Sequence, residues 1–395
     1  MFVQYLIWGA WAPTLGNYMQ TLDMGGAIST AYALGPISAI IAPFFLGMVA
    51  DRFFDSEKVL GVLNLIAGVA MCAMPSYAGT GLFLPLLFLH ALCYFPTLGL
   101  TASLAFHHMT NQEKEFPVVR VFGTLGWAAI GLFMGAILQA DATATPLYIG
   151  GAAALFLGLY SFTLPLTPPP SAGMKTSWKQ ILGIDAFREL KSRSFVVFLA
   201  AAMLIFIAFG TYFPYAPLFF EDLHTKLELS HFANPSAEMS FGQWSEIVFM
   251  LLIPFFFARF GVKWMLLMGM LAWVARFTLF ASAALTGTFW LIMIGILIHG
   301  ICYDFFFVTG QIYIDKKTSP AIRGQVQGLL VLLTQGVGFF LGTQVSGLFV
   351  NAYGTNGELD LPEWRLFWSL FAGATLLFAI AFYFLFTDRV EEAPA

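Results

Sequence analysis

Apolar stretches long enough to cross a lipid bilayer follow one another along this chain almost without interruption. They fall at about 2–21, 27–50, 59–76, 80–105, 117–139 and 146–165, then at 195–219, 239–258, 264–285, 288–313, 321–350 and 365–387. A spanning helix needs about 20 apolar residues, and in lipid every backbone N–H and C=O must be satisfied within the protein, which leaves helices or closed barrels. These runs are continuous rather than alternating, so they read as helices. With 59% hydrophobic and 10% charged residues and a mean hydropathy of +0.80, the 395-residue chain has no room for a large soluble domain. The expectation is an all-α integral membrane protein of twelve transmembrane helices, numbered here as segments 1 to 12. A net charge of −4 offers no surface for nucleic acid. Cys72, Cys93 and Cys302 all lie inside apolar runs without metal-type spacing, so neither a metal, a cofactor nor a disulfide framework is expected. The opening "MFVQYLIWGAW" lacks a basic region and a cleavage site and reads as the first helix.

One long charged linker, "TPPPSAGMKTSWKQILGIDAFRELKSRS", separates the segments six and six. It predicts a bundle over 1–165, a linker with short interfacial helices over 166–194, a second bundle over 195–387, and a tail over 388–395. Of the 18 Lys and Arg residues, fifteen lie in the even-to-odd loops and the tail, counting Arg120 and Arg323 at segment starts. Basic loops resist translocation, so both termini are expected in the cytoplasm.

The two halves echo one another. "HALCYF" at 90–95 returns as "HGICYD" at 299–304, "APFFLGMVADRF" at 42–53 as "IPFFFARF" at 253–260, and "FPVVRVFG" at 116–123 as "SPAIRGQVQG" at 319–328. Parallel six-helix repeats with a site between them describe the major facilitator fold, here as two pseudo-symmetric halves. "GMVADRF" at 47–53 is similar to the loop signature of that superfamily, which implies that Asp51 and Arg52 lock the cytoplasmic helix ends.

Ionisable groups inside spanning helices cost at least about 2.5 kcal/mol at the bilayer centre, so they face cavities or partners. Arg120, Glu246, Arg276 and Asp304 are the candidates. With a rise of about 1.5 Å per residue, Glu246 and Arg276 fall at similar depth from one side and are expected to pair. Arg120 and Asp304 fall at similar depth from the other, and a pair between them would form a gate. A carboxylate whose arginine partner comes and goes changes its proton affinity, so Asp304 or Glu246 is expected to carry a coupled proton.

Positions three, four or seven apart share a helix face. Such faces group Gln4, Trp8 and Trp11; Arg120, Thr124 and Trp127; Gln243 and Glu246; and His299 and Tyr303. Aromatic faces beside amide, hydroxyl and acid groups suit a flat ring carrying several hydroxyls, a nucleoside or equally a sugar or polyol. Tyr212 in segment 7 joins this substrate set, and Pro214 and Pro217 should kink that segment. No nucleophile-base pair has convincing spacing, so an enzyme is not expected. A non-transporting nutrient receptor stays open.

Beyond the superfamily, the chain resembles the bacterial nucleoside:proton symporters along nearly its whole length. The resemblance is carried by "WGAWAPTLGNYM" (8–19), "FPVVRVFGTLGW" (116–127), "SWKQILGIDAF" (177–187), "QWSEIVFMLLIPFF" (243–256) and "YDFFFVTGQIYIDKKTSPAIR" (303–323). It implies uptake of nucleosides with a proton across the bacterial inner membrane by a monomer. It also implies that Arg120, Thr124, Gln243, Glu246, Tyr303 and Asp304 serve binding and coupling. Segment 7 lacks the amide side chains expected of the family, and His299 stands where a tyrosine is expected.

Overall fold

The structure is a computed structural model that describes residues 1–45, 53–110, 112–169, 192–226, 234–318, 323–355 and 357–387. Helix occupies each of the twelve apolar segments. Among the described residues the only β-type pairing is a bridge between Thr355 and Glu358. Among the described residues, seven helices are long and apolar enough to span a membrane singly, and a bent pair makes an eighth span. One of the seven, Pro235–Thr286, is 52 residues long and joins segments 8 and 9. It is kinked at Gly261, whose φ of 68° and ψ of 175° belong to a region only glycine occupies readily. Large apolar side chains left exposed, such as Leu251, Leu348 and Phe384, form the kind of surface a bilayer covers.

Helix breaks are met by hydroxyls of the broken segment itself and of neighbouring helices, as a chain in lipid requires. Segment 1 runs as Phe2–Trp11 and Leu15–Thr21, interrupted at Pro13, which has no N–H to give. There the Thr14 hydroxyl donates to the Trp11 carbonyl at 3.1 Å, and the Tyr32 hydroxyl donates to Ala12 O while accepting from Gly16 N. Segment 7, by contrast, stays helical over Arg193–Lys226 through both Pro214 and Pro217. Segment 10 breaks at Ile298, where Phe289–Leu297 and His299–Lys317 meet at 44°. Ser245 of segment 8 bridges that break, donating to Leu297 O and accepting from Gly300 N at 3.2 Å.

The chain divides into two compact units. The first is Met1–Ile181 with Phe213–Glu221 and Ser230–Ser240; the second is Leu182–Tyr212, Asp222–Leu229 and Phe241–Ala395. In the first, segments 3 and 6 approach so closely that a Cβ on Gly68 would sit 2.9 Å from the Gly151 carbonyl, and one on Gly158 2.9 Å from the Leu65 nitrogen. Small residues at such a seam let backbones touch. Also in the first unit, Asp141 is 5% exposed and caps the start of the segment 8 helix, accepting from Ser236 N at 2.8 Å and from the Ser236 hydroxyl. Burial raises this carboxyl above the ordinary value, and the two Ser236 bonds only partly oppose it.

The duplication is written into the contacts of each unit. Trp8 meets Trp127 edge-on at 5.1 Å and 77°, while Phe209 meets Phe339 at 5.6 Å and 79°. His90 stacks on Tyr94 at 5.4 Å and His299 on Tyr303 at 6.1 Å. Gly126 packs on the Phe2 carbonyl and Gly338 on that of Met203. Every one of these pairs maps onto its counterpart by a constant step in residue number: 201 from segment 1 to 7, 209 from 4 to 10, and 212 from 5 to 11. Pro13 maps by the same step onto Pro214. The step for segments 5 and 11 corrects one expected echo. "FPVVRVFG" and "SPAIRGQVQG" are not in register, and the counterpart of Arg120 is Leu332, not Arg323.

Candidate functional site

The first unit supplies an aromatic and cationic set. Segment 5 runs as Gln112–Leu132 and continues in a π-helical turn, Phe133–Leu138. Because Gly123 and Gly126 have no side chains, segment 1 lies directly against it, and the Arg120 guanidinium rests 4.5 Å over the Tyr5 ring. One turn on, Thr124 is 4% exposed, and Trp127 packs against Trp8, which in turn meets Phe95 at 5.3 Å. Gln4, on the same face as Trp8, is drawn away from that set: its amide donates to Thr97 Oγ1 at 2.7 Å. Trp11 likewise packs edge-on to His90.

The second unit supplies the acids and most of the ring stack. Asp304 is fully buried, Glu246 5% exposed and His299 3% exposed. Gln243 and Tyr303 are half-buried. Just past the break in segment 10, the backbone from Asp304 to Val308 widens into a π-helical turn, a local geometry that often accompanies function. His299 lies nearly parallel to three rings: Tyr303, Tyr212 at 6.1 Å, and Phe209 at 6.5 Å. Tyr212 itself is 2% exposed, wedged between Phe280 and His299 beneath the Arg276 guanidinium at 4.5 Å.

The structure corrects the partner expected for Arg276. Its Nε donates to Gly295 O at 2.9 Å and its Nη2 to His299 Nδ1 at 2.9 Å, with Trp273 4.7 Å from the charge on another side. Glu246 is not its partner. The bend at Ile298 frees the Gly295 carbonyl from helical bonding, and a guanidinium reaching across from segment 9 takes it. Equal depth along two helices, the basis of the sequence expectation, says nothing about which faces turn toward each other. Sequence reasoning therefore missed the Arg276–His299 pair and the role of Trp273. The only available signal was that both Arg276 and His299 sit in apolar segments. Asp51 and Arg52 lie outside the described residues.

This arrangement pairs buried carboxylates with stacked aromatic rings and a polar face, without a cluster of three or more metal-ligating side chains among the described residues. Residues 1–391 of the 395 match the family described as "Nucleoside H+ symporter". The chain belongs to that family. Among its relatives, it is 36% identical to YegT of Escherichia coli over all of this chain and 94% of that one. It is 32% identical to the nucleoside permease NupG of the same organism, over all of this chain and 96% of the relative. Identity to the Escherichia coli xanthosine permease is 31%, over 98% and 94%. The crystal structure of NupG superposes with a TM-score of 0.85, at 30% identity and over 98% and 97% of the two chains. A peptide transporter at 13% identity and a TM-score of 0.76 shares the fold alone. The nucleoside H+ symporter described here is thus a multi-pass membrane protein with a major facilitator fold, a transporter and not an enzyme, that takes up nucleosides together with protons.

Proposed function

We propose that this symporter binds its nucleoside with Arg120, Thr124, Trp127, Trp8, Gln243, Glu246, Tyr303, His299 and Tyr212, and couples transport through the carboxylates of Asp304 and Glu246. The supporting observation is what the duplication has replaced. In the first unit, Gly35 packs its backbone against the Phe95 ring, where a Cβ would lie 2.8 Å from the ring edge. The counterparts are Glu246, 211 residues on as set by Pro43 and Pro254, and Asp304, 209 on. A glycine–aromatic contact in one unit is matched by two acids in the other, both buried. In this proposal one of these two carboxylates carries the coupled proton. Gln243 and Glu246 would bond ribose hydroxyls, while Trp127, Tyr303 and Trp8 would stack on the base; Tyr212 contributes from behind.

Arg120 and Asp304, one from each unit, form the inner gate in this proposal together with Asp51 and Arg52. Proton uptake by Asp304 would weaken its pairing with the gate arginine, and re-forming the pair would favour the ionised carboxylate and so release of the proton. The protein acts as a monomer in the bacterial inner membrane with both termini in the cytoplasm, in keeping with the fifteen basic residues on one side. The test is uptake of labelled uridine into proteoliposomes with and without an inward proton gradient, with free ribose as competitor. Accumulation above the equilibrium level only under the gradient is the expected result. Uptake blocked by ribose as effectively as by unlabelled uridine would point to a sugar or polyol instead, and binding without flux to a receptor.

A further inference from the structure

The two symmetry-related histidines are held in opposite hydrogen-bonding polarity. His90 Nδ1 lies 3.0 Å from the Ala67 carbonyl, which can only accept, so Nδ1 carries the proton. His299 Nδ1 lies 2.9 Å from Arg276 Nη2, which can only donate, so Nδ1 is the acceptor and a neutral ring carries its proton on Nε2. Ala67 and Arg276, which hold the two histidines, are also 209 residues apart. The same position thus reads a histidine through its carbonyl in one unit and through its side chain in the other.

Arg276 is built for this task. It is fully buried, and its guanidinium is flanked by the faces of Tyr212 and Trp273. One arm is anchored on Gly295 O at the bend of segment 10, and the other reaches His299 immediately beyond the bend. A planar fork fixed at two points sets the ring's rotation as well as its tautomer. His299 is further confined by Phe209, Tyr212 and Tyr303, and a Cβ on Gly242 of segment 8 would lie 3.1 Å from the His299 Cβ. Its Nε2 has no hydrogen-bond partner among the described residues, and 3% of the residue's surface stays open.

We infer that Arg276 is a positioning residue that fixes His299 as a hydrogen-bond donor, through Nε2–H, to a lone-pair acceptor on the nucleobase. The inference rests on the proposed placement of His299 in the nucleoside site. It makes the ligand class specific: a base whose edge presents a carbonyl oxygen or an unprotonated ring nitrogen to His299. A site committed to donating a hydrogen bond discriminates strongly against an analogue that lacks the acceptor.

The experiment is proton-driven uptake in proteoliposomes, with competition by nucleosides that differ in one acceptor: uridine against its 4-deoxo analogue, and adenosine against its 3-deaza and 7-deaza analogues. In the wild type, one of these analogues should compete roughly 10-fold less well than its parent. That discrimination should vanish in His299→Phe. Arg276→Met should lose it too, with the deficit in KM rather than kcat and confined to acceptor-bearing nucleosides, and Arg276→Lys should recover part of it. Equal competition by every parent and analogue in a wild type that transports uridine overturns the inference and leaves the nucleoside reading standing, whereas absence of uridine transport removes both. Discrimination retained in His299→Phe, or in Arg276→Met with kcat lowered for all substrates alike, also overturns it. If Arg276→Met gives no monodisperse protein, Arg276→Lys, which keeps the charge but loses the fork, decides by the same comparison.

Discussion

At the scale of single residues, charge placement decides what each group can do. Asp304 is expected to matter for coupling rather than for recognition. Asp304→Asn should abolish accumulation above equilibrium while nucleoside exchange continues across the same proteoliposomes. Loss of both together would assign Asp304 to binding. Asp141 gives a prediction about stability. Its carboxyl is ordinary in the unfolded chain and raised in the folded one, so between those two values the folded state binds more proton. Stability therefore falls as pH rises through that window and levels off above it. Melting in detergent from about pH 3.5 to 7 should show the fall in the wild type and a flatter profile in Asp141→Asn. An unchanged slope would mean that Asp141 is not its source.

At the scale of elements, close helix contacts rather than propensities carry the architecture. Gly126 lies on the Phe2 carbonyl, and Gly338 leaves a Cβ only 2.5 Å from the Met203 carbonyl; neither backbone can yield cheaply. Alanine at either position should destabilise the protein by about 1–3 kcal/mol, read as a lower melting temperature in detergent. Gly373, with open space around its Cβ position, is the control, and Gly373→Ala should leave melting unchanged or slightly raised. Segment 1 breaks at Pro13 while segment 7 runs on through the corresponding Pro214. Identical residues at matched positions thus have different outcomes. The Tyr32 hydroxyl takes the Ala12 carbonyl of segment 1, and such supply is a property of neighbours.

At the scale of the whole molecule, one gene half has been copied and then made to differ. The shared part is scaffold: the edge-on aromatic pair, the histidine–tyrosine stack and the glycine seams recur with constant steps in residue number. The differing part is chemistry: Ala67 against Arg276, Gly35 against Glu246, Phe95 against Asp304. At these matched positions Glu246, Asp304 and the buried cation Arg276 belong to the second copy, whereas Arg120 belongs to the first. In the proposed coupling, the acids of the second copy bind the proton while the matched positions of the first, Gly35 and Phe95, have no group that can titrate. Uptake by the intact protein should accordingly rise as the external pH falls and collapse to equilibrium on adding a protonophore. Accumulation that survives the protonophore would require a different driving ion.

How much was legible beforehand divides along the same line. Hydropathy alone determined the all-helical membrane class, because lipid leaves the backbone no other solution. The recurrence of "HALCYF" as "HGICYD" exposed both the duplication and the acid that breaks it. The blocks shared with nucleoside:proton symporters implied the activity that family membership then established. The tertiary structure alone decided which buried groups meet. Two segments give no hint of which faces they turn to one another, so Arg276 was matched by depth to Glu246 when it bonds Gly295 and His299. It also decided the register of segments 5 and 11, where a chance likeness of "FPVVR" to "SPAIR" outweighed the glycines that actually set the contact. Periodicity in a chain specifies helices; side-chain partners across helices depend on rotation and bend, which are settled only when backbones pack.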